Sequence, residues 1–259
     1  MKKKILSLCL VVALAATAII GGTLAYFTDT DAQTNVFTTG NVAIDLWEDF
    51  GDNDDAGIEE LIPAVGSAQA GTLKNGIEKE VYVKNTGSED AYVRVHIAIP
   101  QILDDGADTF NAAANVLHFN YADESIGEGK WDWSKAYDDG KYVGDWNYYT
   151  TEVAGIWYNV YVVTYTGKLS TGYATVDAIS QVYLDSQTTN EDITAIKQTL
   201  GEQWKILVVA EGAQAEGFAN AYEALNTAFG VPGTDYVIDF TNQIVENDTW
   251  VDTASSQNK

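Results

Sequence analysis

From residue 42 onward, apolar residues alternate with polar or small ones, and this pattern predicts a chain built mainly of β-strands. Val42, Ile44 and Leu46 form one such series, and the same period of two recurs over residues 92–99. A period of two places one set of side chains on a single face of a strand. Residues 156–165 give the strongest strand signal, because most of them are aromatic or β-branched.

Shorter apolar runs predict further strands at 81–83, 116–121, 204–210, 236–240 and 243–251. The strands at 81–83 and 92–99 flank a turn cluster at residues 85–88. They form either a hairpin or a crossover between two sheets, because both connections give the same sequence pattern.

Two helices are predicted late in the chain, at about residues 190–200 and 213–229. Asn190 is the predicted cap of the first helix and Gly201 its stop, while Gly230 ends the second. Each helix has one apolar face, so each is expected to cover a sheet. The predicted fold class is therefore mainly β: a β-sandwich with inserted helices.

An aromatic-rich insertion occupies about residues 120–150 and is predicted to form hairpins at the rim. It contains Trp131, Trp133 and Trp146. The favoured interpretation is that these rings cover an edge of the core. The alternative is that they stack on sugars, which would make the protein a surface glycan-binding module.

The N-terminus has the three parts of an export signal. Lys2 to Lys4 precede an apolar run over residues 5–20, and Thr23 and Ala25 form a small-x-small cleavage site. We expect cleavage between Ala25 and Tyr26. A permanent anchor is the alternative, but the apolar run is shorter than the roughly 20 residues that a span requires.

The composition excludes some classes of partner and of site. The chain has 14 Lys+Arg against 38 Asp+Glu, a formal net charge of −24, and its hydrophobic fraction of 46% is enough for a core. The acidity argues against nucleic acid as a partner, because phosphate contacts need basic side chains. Since Cys9 lies in the leader, the cleaved chain is expected to have neither a disulfide nor a reactive thiolate.

An acidic loop over residues 49–57 is the candidate metal site. Its carboxylates are Asp49, Asp52, Asp54 and Asp55, and hard cations such as Ca²⁺ prefer oxygen ligands of this kind. The spacing does not match an EF-hand, and the alternative is a solvated acidic loop. No other cofactor is predicted.

No catalytic residue is predicted. The chain has two histidines, His96 and His118, and they lie outside any His-Glu-x-x-His motif. Both are interpreted as structural. The many carboxylates show no spacing that singles out a catalytic pair.

After the predicted cleavage site, residues 26–40 form a Thr-rich segment, here called the arm. It is compatible with a strand but lacks a strong alternating apolar face. An extended terminus of this kind pairs readily with an open sheet edge, because unpaired backbone N–H and C=O groups recruit one another. The alternative is a tail that leads into the first strand.

Several stretches resemble the TasA/camelysin (CalY) family of exported proteins from Gram-positive bacteria, which the dedicated signal peptidase SipW processes. The most specific are Gly-Gly-Thr-Leu-Ala-Tyr-Phe-Thr-Asp at 21–29 and Asn-Val-Phe-Thr-Thr-Gly-Asn-Val at 35–42. Two further stretches fit the same family: 81–88 with 91–95, and Ala-Glu-Gly-Ala-Gln-Ala-Glu-Gly-Phe at 210–218.

The resemblance implies a jelly-roll-like β-sandwich over residues 41–259, preceded by the signal peptide 1–25 and the arm. It also implies a secreted protein of the extracellular matrix or cell surface that assembles into biofilm fibres. In the family, the N-terminal segment of one subunit completes the sheet of the next. Carried onto this chain, the donor residues are Tyr26, Phe27, Thr28, Asp29, Val36 and Phe37.

The partners implied are further copies of this chain, SipW, and a matrix polysaccharide or minor fibre subunits. Some camelysins have been described as metalloproteases, so a cell-surface metallopeptidase is the alternative function. This sequence departs from every zinc-protease motif, and the leading hypothesis is therefore a structural protein rather than an enzyme.

The cleavage site gives a direct prediction. The secreted protein is expected to begin at Tyr26, and Ala25→Glu is expected to block processing because signal peptidases require a small residue before the cut. Intact-mass measurement of the secreted protein checks both. Ala18→Ser, within the apolar run, is the control and should leave cleavage unchanged. A secreted protein that retains Cys9 would contradict the assignment.

Overall fold

Antiparallel strands dominate the chain. The computed structural model describes residues 28–31, 42–49, 61–66, 72–104, 116–121, 131–133, 136–138, 141–143, 148–201 and 204–241. The strands in these ranges are β1 Thr28–Asp31, β2 Ile44–Asp49, β3 Ile77–Asn85, β4 Ala91–Pro100, β5 Leu117–Tyr121, β6 Trp131–Asp132, β7 Ala136–Asp138, β8 Lys141–Val143, β9 Tyr148–Val153, β10 Ile156–Tyr165, β11 Ile179–Leu184 and β12 Leu207–Gln214. The helices in the same ranges are α1 Asn190–Leu200 and α2 Ala221–Phe229.

The strands form two larger sheets. The six-stranded sheet has the order β1-β12-β4-β10-β6, with β9 also pairing with β10, and the four-stranded sheet has the order β2-β3-β11-β5. β7 and β8 form a separate antiparallel pair. Since β3 and β4 lie in different sheets, the connection at residues 85–91 is a crossover and not a hairpin. The mainly β prediction is confirmed.

The main core lies between the two sheets. β4 contributes Val93, Val95, Ile97 and Ile99, which are fully buried, and the other sheet contributes Val81 among its buried residues. Fully burying one such side chain stabilises a fold by about 1.5–3 kcal/mol. The alternation that predicted strand β4 therefore marks its core-facing side.

The outer face of the six-stranded sheet is covered as well. Helix α2 packs Ala224 and Leu225 against Tyr92 and Ala213. Residues 231–241, here called the strap, cross the same face and bury Phe240 among the valines of β10 and β12. Every residue of β4 is consequently buried, including the polar ones on its outer face.

Helix α1 confirms the predicted helix at 190–200, with Gly201 as its stop at φ +87°. The predicted cap is wrong by one residue. Thr189 is the N-cap: its side chain accepts a hydrogen bond from the backbone N–H of Asp192, and Asp192 reciprocates in a capping box.

The predicted helix at 213–229 begins too early. Residues up to Gln214 belong to β12, which starts at Leu207 rather than at 204, and the helix starts only after the N-cap Asn220. The alanines favour a helix by propensity, but the backbone ladder between β12 and β4 overrides this preference. Gly217, at φ +89°, makes the turn between the two elements.

The strand predicted at 236–240 is absent. This segment is the strap, and its apolar side chains pack on a sheet face instead of extending a sheet edge. Strand β11 has no counterpart in the predictions. The strand predicted at 243–251 lies outside the described residues.

The aromatic insertion contains short strands, including the β7–β8 pair, as expected. Trp131 and Trp133 are buried, with 0% and 1% of their surfaces exposed. The indole Nε1 of Trp131 donates to the carbonyl of Val176 at 2.7 Å, and Trp133 stacks on Phe119. These two rings belong to the core. Trp146 lies outside the described residues.

Residues 1–25 also lie outside the described residues. Among the residues that the structure does describe, no helix combines the length and apolar character needed to cross a membrane.

Candidate functional site

The described part of the arm forms an edge strand of the chain's own sheet. Strand β1 pairs antiparallel with β12, with Thr28 opposite Ala213 and Asp31 opposite Ala210. On its other side β12 pairs with β4 along its whole length. If β1 were removed, β12 would become the edge of the six-stranded sheet.

Two of the predicted donor residues, Thr28 and Asp29, therefore lie in β1 at this edge. The remaining donor residues and both cleavage-site residues lie outside the described ranges: Tyr26, Phe27, Val36, Phe37 and Ala25. Among the candidate calcium ligands, Asp49 ends strand β2 instead of starting a loop. Asp52, Asp54 and Asp55 lie outside the described residues.

The segment of β12 that carries β1 is unusually small in its side chains. Its residues are Ala210, Glu211, Gly212 and Ala213. A Cβ atom on Gly212 would lie only 2.9 Å from Cγ2 of Ile44 in β2. Glycine at this position thus allows the two sheets to approach each other closely beside the arm.

Glu211 is the exception among these small residues, and it is the centre of a buried polar cluster on the outer face. The cluster consists of Arg94, His96, Tyr149, Glu211 and Tyr236. One carboxylate oxygen, Oε2, accepts from Arg94 Nε at 2.5 Å, from the Tyr236 hydroxyl at 2.7 Å and from His96 Nε2 at 3.1 Å. Tyr236 also lies 2.9 Å from Oε1.

Arg94 links this carboxylate to the elements that cover the sheet. Its guanidinium donates to Asn226 Oδ1 in α2 at 2.8 Å, to the carbonyl of Gly230 at 3.2 Å and to the Tyr236 hydroxyl at 2.6 Å. The Phe229 and Tyr236 rings each lie 5.7 Å from the guanidinium carbon. One side chain of β4 thereby holds the end of α2 and the strap.

His96 extends the network to β9. Its Nδ1 lies 3.2 Å from the Tyr149 hydroxyl, which accepts a hydrogen bond from the backbone N–H of Ile238. We assign the proton of the neutral imidazole to Nε2, because this tautomer lets His96 accept from Tyr149 and donate to Glu211. Burial lowers the pKa of His96, so the ring stays neutral.

At Glu211 the neighbouring groups, and not burial, decide the pKa. Burial alone would raise the pKa of this carboxyl, but the hydrogen bond from His96, the positive charge of Arg94 and the Tyr236 hydroxyl outweigh burial and lower the pKa to about 2. Burial raises the pKa of both tyrosines, which keeps their hydroxyls protonated. The cluster is therefore a carboxylate–guanidinium pair surrounded by neutral donors.

A zinc ion does not fit this cluster. Both ring nitrogens of His96 already have hydrogen-bond partners, and Arg94 and Tyr236 occupy the carboxylate of Glu211. Zinc in peptidases usually takes three protein ligands, most often including two histidines. Within the described ranges, no three His, Cys, Asp or Glu side chains are grouped so that they could hold a metal ion.

The two histidines lie on different sheets. His96 is on the outer face of β4, and His118 is on the face of β5 opposite the core residues Leu117 and Phe119. His118 Nε2 pairs with Asp185 Oδ2 at 2.8 Å. The faces of packed sheets are about 10 Å apart, so the two histidines cannot bind one ion.

A family model described as Camelysin metallo-endopeptidase matches residues 1–91. This part of the chain is camelysin-like. The resemblance to the TasA/camelysin family is thereby confirmed over residues 1–91, which include strands β1 to β3. Searches of the curated proteins and of the solved structures found no match.

The matched residues end where β4 begins, so they contain neither histidine of the chain. The polar cluster also lies wholly beyond them. The camelysin-like part therefore supplies strand β1, and the later part of the chain supplies strand β12, with which β1 pairs.

Sequence reasoning missed the polar cluster and interpreted His96 only as a structural residue. One signal was present: Glu211 is the only charged residue in the stretch 207–215 of β12 and its flank. A lone charge in a buried, small-residue strand calls for a partner, because burying an unpaired charge is costly. The identity of that partner is not encoded locally.

The lowered pKa of Glu211 gives a pH-dependent prediction. In the folded chain this pKa is about 2, against an ordinary value of 4.5, so Glu211 contributes stability at neutral pH that is lost as the pH falls toward 2. Glu211→Gln should lower the free energy of unfolding at pH 7 by about 3–5 kcal/mol, because Arg94 loses its counter-charge. The deficit relative to the unsubstituted protein should shrink by about 2 kcal/mol at pH 3.

Urea unfolding of both proteins at the two pH values checks this prediction. Glu216→Gln, at an exposed site, is the matched control and should change stability by less than about 0.5 kcal/mol. A Glu211→Gln deficit of equal size at both pH values would contradict the account.

Proposed function

We propose that this chain is a secreted structural protein of the extracellular biofilm matrix, and that its copies assemble into fibres by exchanging the arm. The observation that carries the proposal is the pairing of Thr28–Asp31 with the Ala210–Ala213 segment of β12. In the fibre, the arm of one copy replaces the arm of the next on the same edge.

The exchanged arm makes the same backbone contacts as the arm that it replaces. A strand held at a sheet edge by its backbone meets the same partners whether it comes from its own chain or from a second copy. Because the donor and acceptor surfaces are different parts of the molecule, each added copy leaves one of each surface open. Such a heterologous contact propagates into a filament.

Two further features support the proposal. The camelysin family model covers the arm itself, and the stretch 210–218, which resembles the same family, contains the four residues of β12 that pair with β1. The net charge of −24 would keep copies apart at low ionic strength, and salt would screen that repulsion. The leader is expected to hinder exchange until the signal peptidase SipW removes it.

The alternative function is the metallopeptidase that the family model names. Its support is that name alone, since the matched residues contain no histidine and the two histidines of the chain lie on different sheets. A glycan-binding module has less support, because Trp131 and Trp133 are core residues. Polysaccharide and minor fibre subunits remain proposed partners of the assembled fibre.

A disulfide across the β1–β12 pair tests the fibre proposal. Directly opposed residues of antiparallel strands have Cα atoms about 4.5–5.5 Å apart, which suits a disulfide. In a Cys9→Ser background, Thr28→Cys combined with Ala213→Cys should form an intrachain bond that locks the arm in place. Electron microscopy should show no fibres from the oxidised protein and normal fibres after reduction.

The control replaces the second position with the exposed Ser170, as Thr28→Cys with Ser170→Cys, and should assemble whether oxidised or reduced. Deleting residues 26–39 should also abolish fibres. Normal fibres from the oxidised Thr28→Cys/Ala213→Cys protein, or from the deletion, would rule out arm exchange.

The peptidase alternative has its own test. The purified secreted protein is expected to leave casein uncleaved, with or without added Zn²⁺, because the two histidines cannot share an ion. Gel analysis of the digest checks this, with a heated sample as the blank. Cleavage that a chelator stops and that His118→Gln abolishes would instead establish the metallopeptidase.

A further inference from the structure

Three of the four residues of β12 that pair with β1 have small side chains, and the fourth is Glu211. Ala210 and Ala213 carry only a methyl group and Gly212 carries none. Glu211 alone reaches other elements by hydrogen bonds and an ion pair. Ala210 and Ala213 add apolar packing, so the polar side-chain anchoring of this segment depends on Glu211.

The contacts of Glu211 run in two directions. Arg94 and His96 tie it to the neighbouring strand β4, and Tyr236 ties it to the strap. Arg94 and Glu211 are 2% and 1% exposed, and Arg94 also donates to Asn226 and to the carbonyl of Gly230. A buried charge-assisted pair of this kind resists displacement, since separating its partners leaves a charge without compensation.

Arm exchange requires a state in which β12 has lost β1. In that state the segment with Gly212 is an edge, with a ladder on one side only and with small side chains on its core face. Glycine and alanine add little to hold an edge in extended form. The Glu211–Arg94 ion pair, here called the brace, is unaffected by the loss of β1. It lies on the outer face of the sheet and connects β12 to β4 and to the strap.

We propose that Glu211, with Arg94 as its counter-ion, is a positioning residue that keeps the β12 edge extended and ready to accept the arm of a second copy. This inference rests on the proposed function, and it assigns the acceptor half of the contact, whereas the arm is the donor half. Its consequence is an asymmetry: the brace matters in the copy that accepts and not in the copy that donates.

A cross-linking experiment measures the two halves separately. Two full-length proteins are secreted in a Cys9→Ser background, one with Thr28→Cys as donor and one with Ala213→Cys as acceptor. They are mixed and oxidised, and mass spectrometry quantifies the peptide that joins positions 28 and 213. Glu211→Gln is then introduced into the acceptor alone or into the donor alone.

Glu211→Gln in the acceptor is expected to reduce the linkage at least about five-fold, while the same change in the donor should not reduce it. Arg94→Lys in the acceptor keeps the charge but loses the fork of donors, and a smaller reduction is expected. Near-ultraviolet circular dichroism establishes that each variant is folded at the temperature used.

The matched control separates positioning from general stability. Leu184→Ala in the acceptor opens a cavity in the four-stranded sheet, on β11, which β3 separates from β2, and costs about 2–5 kcal/mol. It should leave the linkage near that of the unsubstituted pair. The inference is overturned if Leu184→Ala lowers the linkage as much as Glu211→Gln does. It is also overturned if Glu211→Gln lowers the linkage equally in donor and acceptor, or in neither. Absence of linkage in the unsubstituted pair would overturn arm exchange itself, and the brace with it.

Discussion

The buried pair between Glu211 and Arg94 is the interaction on which the outer half of the molecule depends. It joins β12 to β4, and through Arg94 it also holds the end of α2 and the strap. A carboxylate and a guanidinium are expensive to bury separately, and here each supplies the compensation that the other needs. Neutral His96 and Tyr236 add hydrogen bonds to the carboxylate, and Asn226 and the Gly230 carbonyl accept from the guanidinium, so the network stabilises one arrangement of these elements.

This constraint determines the surroundings of β12, which lies between the edge strand β1 and the central strand β4. Its core-facing positions are small enough for β2 to approach closely at Gly212, while its outer face is anchored by one charged residue. The strand is thus firmly attached to β4 and lightly covered by β1. A sheet edge with a fixed strand on one side and a four-residue partner on the other suits an exchange between copies of the chain.

Sequence patterns predicted those elements whose formation is decided locally. Strand β10 and the core face of β4 follow from period-two alternation, and helix α1 from its apolar face and its glycine stop. The prediction failed where tertiary contacts override local preference. Residues 213–214 have the propensity of a helix but pair with β4, and residues 236–240 form an apolar run typical of a strand but pack on a sheet face.

The polar cluster could not be predicted from the sequence, because its members come from four separate parts of the chain. Arg94 and His96 lie on β4, whereas Tyr149, Glu211 and Tyr236 follow 50 or more residues later. Each of these residue types is common on protein surfaces, and only the topology places them together under α2 and the strap. The match to the camelysin family model ends at residue 91, before every member of the cluster.

Magic-angle-spinning NMR of fibres grown from an equal mixture of ¹⁵N-labelled and ¹³C-labelled protein tests the central claim most directly. The account predicts nitrogen–carbon correlations between residues 28–31 of one label and residues 210–213 of the other, because in the fibre the arm pairs with a different copy. If the mixed fibres lack these correlations, and they appear only in fibres whose chains each carry both labels, the arm stays on its own sheet and arm exchange is wrong.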